Sequence, residues 1–234
     1  MAPVMFQDDL QNSSESLIQA RLACTKIDKV VNKLGLQLNR DKTVCLIMGS
    51  KKQKQEASAE LLSNPLMFGQ VEIKEKQVAK WLGQQLSSAG LADSVEQTVL
   101  ARQGKIRGAC LEVVNIVNDW RSQVAGGMET ALVLWELCCV PSLLHGAGTW
   151  VEITPGTEKR LNSIQQDFLR SVYQVGPGAP LASLCWDTMT LDMCLRVWLE
   201  KVMMIVHIRS LEDTPQGASG DGLAGHGIGD RINF

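Results

Sequence analysis

Val4-Met5-Phe6-Gln7-Asp8-Asp9-Leu10-Gln11 opens with an apolar run, meets two adjacent carboxylates and then resumes with Leu10. Short apolar runs on either side of a polar pair read as a strand, a tight turn and a returning strand. Two neighbouring carboxylates at such a bend gather hard oxygen ligands in one place, the donor set that Mg²⁺ favours. Phosphoryl transfer by two metal ions needs a cluster of this kind, to activate the attacking hydroxyl and to steady the leaving oxygen. An acidic pair alone is a weak signal, for which an exposed turn is the default explanation, so the residues that follow decide.

Asn12 with Glu15 three positions on has the form of a capping box, and a helix is predicted after it. Ala20, Ala23, Ile27, Val30 and Leu34 recur at helical spacing, with Lys26, Lys29 and Lys33 on another face, and Gly35 stands where a helix ends. Leu36 and Leu38 alternate with polar residues. Asn39-Arg40-Asp41-Lys42 then turns the chain into Val44-Cys45-Leu46-Ile47-Met48, which reads as a buried strand. Residues 51–60 are polar and are predicted to be a loop leading into a helical turn. Val71-Glu72-Ile73 and Val78-Ala79-Lys80-Trp81-Leu82 read as short strands, the second closed by Gly83. Together these elements predict an α+β layer.

After Asp93 the pattern becomes helical, with predicted helices over 93–118, 125–145, 158–173 and 189–210 and breaks at Gly126-Gly127, Pro155-Gly156 and Gly176-Pro177-Gly178. Residues 191–208 are apolar enough to raise the question of a membrane. Asp192, Arg196 and Glu200 fall at i, i+4 and i+8, however, so the segment reads as a core helix with one wet edge and no membrane is expected. The Gly-rich stretch over 214–234 predicts a flexible tail.

The 234 residues are 45% hydrophobic and carry a net charge of −2, which hides an asymmetry. Between Arg21 and Lys54 nine basic residues face two acidic ones, whereas from Leu111 onward eight basic residues face fourteen acidic ones. A positive front attracts phosphates, or is simply a solvated helix face. Six Trp against one Tyr favour large, mostly helical packing. Seven Cys without a Cys-x-x-Cys pair read as free thiols of a reducing compartment, and the first residues have no signal-peptide pattern, so an intracellular location, nuclear or cytoplasmic, is expected. His145 beside Cys138 and Cys139 is better explained by core packing than by a metal. His207, His226, Cys110, Cys185 and Cys194 have no partners in spacing that suggest a site.

The order of motifs carries a resemblance. Phe6-Gln7-Asp8-Asp9 resembles the aromatic-x-Asp-Asp hairpin of reverse transcriptases. Gly35-Leu36-Gln37-Leu38-Asn39-Arg40-Asp41-Lys42-Thr43 matches that family's Gly-Leu-x-Leu-Asn-x-x-Lys-Thr stretch, and Lys80-Trp81-Leu82-Gly83 its aromatic-Leu-Gly strand. Further on, Val140-Pro141-Ser142-Leu143-Leu144-His145-Gly146-Ala147-Gly148-Thr149-Trp150 and Ile164-Gln165-Gln166-Asp167-Phe168-Leu169-Arg170 look like two segments of the non-LTR retrotransposon enzymes. The five motifs stand in the family's order across about 4–210.

The resemblance implies a partial polymerase palm over 1–90 and a helical thumb and extension over 91–213, followed by the tail. It implies that Asp8 and Asp9 ligate catalytic Mg²⁺, that Lys42 lies near the triphosphate as a proton donor, and that Trp81, Leu82 and Gly83 grip the primer. The partners implied for the intact parent enzyme are an RNA template and a DNA primer. Gln7, His145 and Ala147 depart from the family's usual Ala, Tyr and Ser. The family's other metal-binding aspartate and its fingers precede this hairpin and are not in the sequence, so the chain alone is expected to be an inactive fragment. The alternative is a non-catalytic remnant that binds nucleic acid or protein. No residues support a nuclease or an RNase H activity.

Overall fold

The computed structural model describes residues 4–6, 9–37, 39, 42–121 and 127–212. Strands β1 (Val4–Phe6) and β2 (Asp9–Gln11) pair antiparallel with Phe6 opposite Asp9, so the opening stretch is a hairpin as its pattern predicts. Gln7 and Asp8, which join the strands, lie outside the described residues, and so does the Gly-rich tail.

Helix α1 (Leu17–Lys33) starts later than the Asn12–Glu15 pattern predicts, because β2 runs to Gln11 and residues 12–15 turn the chain out of the hairpin. Ser16 is its cap, accepting from the Gln19 amide, while Gln19 Oε1 accepts from the Glu15 amide at 3.1 Å. The inner stripe is Leu17, Ala20, Cys24, Ile27 and Val31, packed on Leu61, Leu66, Phe68 and Ile73. Val30 and Leu34, expected to face inward, are exposed. Gly35 ends the helix as predicted. Its φ is +67°, its amide donates to Asn32 O, and the Leu36 amide donates to Val31 O, the paired bonds of a Schellman motif.

The next elements are β3 (Val44–Cys45), α2 (Lys51–Ser63), β4 (Met67–Phe68), β5 (Val71–Glu72), β6 (Lys74–Glu75), β7 (Val78–Trp81) and β8 (Gln84–Ser87). Two corrections to the sequence reading fall here. The predicted strand over 44–48 is a strand only at Val44–Cys45, paired parallel with β6. Residues 51–60 are a helix, not a loop. Ser50 and Gln53 form a capping box, and among its described residues only Leu61 is buried, so its polar composition gave no helical stripe to read. The remaining strands form two antiparallel hairpins, β4–β5 and β7–β8. The sheets are small and separate rather than one continuous layer.

The second half is helical: α3 (Leu91–Arg121), α4 (Gly127–Leu134), a π turn (Trp135–Cys139), α5 (Val140–Leu144), a 3-10 turn (Ala147–Thr149), α6 (Pro155–Tyr173), α7 (Leu181–Thr188) and α8 (Met193–Glu212). The mixed class is therefore as expected, with helix dominant. Helices α4 and α5 form one rod, and the π turn has a cause in the sequence. Pro141 has no N–H and its ring would clash with the carbonyl four residues back, so the rod widens and the Val140 amide bonds Trp135 O.

This rod lines the core. Ala131, Trp135, Cys139 and Leu143 are fully buried, together with Leu161 and Leu169 of α6 and Val197 of α8. Trp135 stacks on Phe168 with ring centroids 4.6 Å apart, a contact worth about 0.5–1.5 kcal/mol beyond its burial. By length and composition 127–149 is the one described stretch apolar enough to cross a membrane. Its buried residues pack on α3 and α6.

Two further differences concern the end of the chain. Helix α7 lies between the helices predicted over 158–173 and 189–210, directly after Pro180. Helix α8 begins at Met193 and is not a core helix, since among its described side chains only Met193 and Val197 are fully buried. Nor is the stripe Asp192, Arg196, Glu200 an internal ion-pair ladder. Asp192 caps the helix through the Cys194 and Leu195 amides, and Arg196 reaches Glu136 of the π turn in a two-pronged bond of 2.6 and 2.5 Å.

Candidate nucleic-acid interface

A cleft of about 660 Å³ opens between the β7–β8 hairpin, α3 and the end of α5. Lys80, Gln85, Thr98, Arg102, Lys105 and His145 line it, with Gly83, Ala101, Pro141 and Ser142. Two lysines and an arginine face it and no carboxylate does. That composition makes the field in the cleft positive.

The hairpin supplies one wall. Trp81 pairs with Gln84, so Leu82 and Gly83 form a two-residue turn, and both take positive φ, +46° and +79°. Those signs belong to a type I′ turn, whose twist suits a hairpin. Gly83 adopts its φ freely, whereas Leu82 carries strain of roughly 1–2 kcal/mol. Lys80 and Gln85 are directly paired across the strands and both face the cleft.

Helix α3 supplies the opposite wall and holds the hairpin. Ser94, Thr98 and Arg102 recur every four residues and therefore share one face. Ser94 Oγ accepts from the Ser87 amide and Thr98 Oγ1 from the Gln85 amide, both at 2.8 Å, so strand N–H groups at the edge of β8 are satisfied by helix hydroxyls. Arg102 completes the tie. Its Nη1 donates to Leu143 O at 2.9 Å and His145 O at 2.8 Å, and its Nη2 donates to Gly83 O at 2.8 Å. Leu143 O belongs to the last turn of α5, where carbonyls lack helical partners and a cation is favourable. Burial pushes the Arg102 guanidinium down from its ordinary value, which is high enough to leave it charged.

A second link joins the same parts. Gln84 Nε2 donates to Thr149 Oγ1 at 3.2 Å, over Gly146, whose φ is +73° and whose missing Cβ would meet the Gln84 side chain. Lys80, Lys105 and His145 are exposed, and no ion pair engages either lysine among the described residues. Arg102 is thus a structural cation fixed on backbone, while the lysines are free to meet an anion.

The residues singled out from the sequence are distributed unevenly around this cleft. Gly83 lines it, with Leu82 beside it in the turn. Trp81 is half-buried and does not line the cleft; its Nε1 is shielded without a hydrogen-bond partner. Lys42 is exposed, its amide donating to Asn39 Oδ1 at 3.3 Å, and it is not part of the cleft. Asp9 starts β2, and Asp8 lies outside the described residues. Among the described residues no three His, Cys, Asp or Glu side chains converge as a metal site.

The positive front is also less available than its charge count implies. Arg21 pairs with Glu60 at 2.7 Å and bonds the Asn64 carbonyl, Lys52 faces Glu56, and Lys54 donates to the Ser88 carbonyl.

Arg102, Lys105 and His145 were missed by sequence reasoning as cleft residues. A signal did exist for the first two, since Gln97-Thr98-Val99-Leu100-Ala101-Arg102-Gln103-Gly104-Lys105-Ile106-Arg107 holds three cations and no acid. No protein-family model, no curated protein and no solved structure matches the chain.

Proposed function

We propose that this chain is part of the primer-holding region of an RNA-directed DNA polymerase of the non-LTR retrotransposon type. In this reading its cleft grips the sugar–phosphate backbone of a duplex formed by RNA template and DNA primer. One observation carries the reading. Arg102 ties the Lys80-Trp81-Leu82-Gly83 segment to the 143–150 segment, two stretches far apart in sequence on which the family resemblance separately rests. The cleft between them presents Lys80 and Lys105 and no carboxylate. Ammonium groups recognise phosphate charge along the backbone rather than base sequence.

The polymerase reaction uses Mg²⁺, for which Asp8 and Asp9 are the sequence's ligands. The role proposed for the cleft is binding of the duplex.

Fluorescence anisotropy with a labelled RNA–DNA hybrid tests the proposal. The logarithm of the affinity should fall linearly with the logarithm of salt concentration, and the joint change Lys80→Ala, Lys105→Ala should flatten that slope by about 2. An unchanged affinity and slope in the double variant would remove the cleft from the binding surface and overturn the proposal.

A further inference from the structure

Helix α8 leaves its outer side uncovered. Leu195, Trp198, Leu199, Val202, Met203, Ile205, Val206, Ile208 and Leu211 are each about half exposed. A helix that is apolar nearly all round is one that another surface covers. The exposed residues also have an order. Leu195, Leu199, Val202 and Val206 are spaced 4, 3 and 4 apart, which is the seam of a two-stranded coil, and the same 3–4 spacing continues to Asp192 at one end and Arg209 at the other.

We propose that this seam pairs with the α8 seam of a second copy of the chain, the two helices running antiparallel about a two-fold axis between Leu199 and Val202. The charges at the ends fix both direction and register. In the antiparallel arrangement Leu199 meets the second copy's Val202 and Leu195 its Val206, and Asp192 then meets its Arg209. Symmetry repeats each contact. A parallel pair would instead set Arg209 on Arg209 and Asp192 on Asp192, which repel. Asp192 is available for this contact, since Oδ1 alone serves the helix cap.

Met189 and Trp186, at the end of α7 just before α8, are also 86% and 77% exposed. The apolar side chains of the seam and those flanking it are 48–61% exposed, so pairing removes apolar surface from water on both copies.

Sedimentation equilibrium of the full chain across the micromolar range tests this. A monomer–dimer equilibrium is expected, and Leu199→Glu should weaken it at least tenfold while leaving the helical circular dichroism unchanged, because Leu199 is exposed in the monomer. Arg209→Glu should weaken it as well. A chain that remains monomeric throughout overturns the proposal, and so does a monomer that binds neutral phosphatidylcholine vesicles through Leu199. An Arg209→Glu chain that pairs with the wild type more tightly than the wild type pairs with itself would set position 209 against itself and overturn the antiparallel register.

Discussion

Arg102 Nη2 donates to the Gly83 carbonyl at 2.8 Å, and this bond makes one wall of the cleft depend on the other. The same guanidinium holds Leu143 O and His145 O, so three backbone acceptors from two segments share one side chain. Lysine has one ammonium and lacks the planar fork needed to span all three. Arg102→Lys should lower the unfolding free energy by about 2 kcal/mol, the scale of losing charged hydrogen bonds to partly buried acceptors. Urea denaturation measures it; an unchanged midpoint would mean the hairpin is held by its other ties, at Ser94, Thr98 and Thr149.

Gly83 and Gly146 lie where the β7–β8 turn meets the end of α5, with φ of +79° and +73°. Alanine at either position is strained by its backbone, costing roughly 1–2 kcal/mol. At Gly146 the added methyl also displaces Gln84 from Thr149. Thermal unfolding should therefore show both Gly83→Ala and Gly146→Ala less stable than the parent, with Gly146→Ala the worse of the two.

Gly104 and Gly108 are the opposite case. Both lie inside α3, and a Cβ built at either meets nothing within 4 Å. Alanine there should raise stability by about 1 kcal/mol per site, because glycine in a helix interior loses more backbone freedom on folding. The same denaturation experiment decides it, and a loss of stability would show that α3 needs those gaps.

Thiol titration gives a pH-dependent prediction. Burial, followed by the nearby Glu158 and Asp192 carboxylates, pushes the Cys194 thiol up to about 11. Burial also raises Cys24, Cys45 and Cys185. The folded chain then keeps protons that the unfolded chain releases from about pH 8.5 upward. Stability from these groups is therefore complete below the ordinary thiol value and is lost as pH rises through their folded-state values, about 11 for Cys194. Iodoacetamide at neutral pH should label Cys138, the exposed thiol, well before Cys194. Equal rates would contradict the burial of Cys194.

Much of this arrangement is legible in the sequence where local chemistry is decisive. Gly35 marks the end of α1 and Gly83 the end of a strand, because each has a backbone role that few residues fill, whereas Pro155-Gly156, expected as a break, begins α6. The signals fail where tertiary contacts choose between similar options. Ser16 and Asn12 both head plausible capping boxes, and only the length of β2 selects Ser16. Helix α2 has almost no buried side to reveal it. Periodicity in 191–208 shows an apolar helix without saying that most of it faces outward. At the cleft, Gly83 is readable as the end of a strand, but Leu82, expected within it, belongs to the turn, and Arg102 finds acceptors on two distant segments, which no spacing along the chain encodes.

Photo-crosslinking from a thio-substituted nucleotide near the primer terminus of an RNA–DNA hybrid locates the bound backbone most directly. Crosslinked peptides should map to 80–85, 101–105 or 141–145, around Lys80, Lys105 and His145. Crosslinks confined to the exposed lysines of α1, Lys26, Lys29 and Lys33, would place the nucleic acid on the other candidate surface and contradict the role given to the cleft.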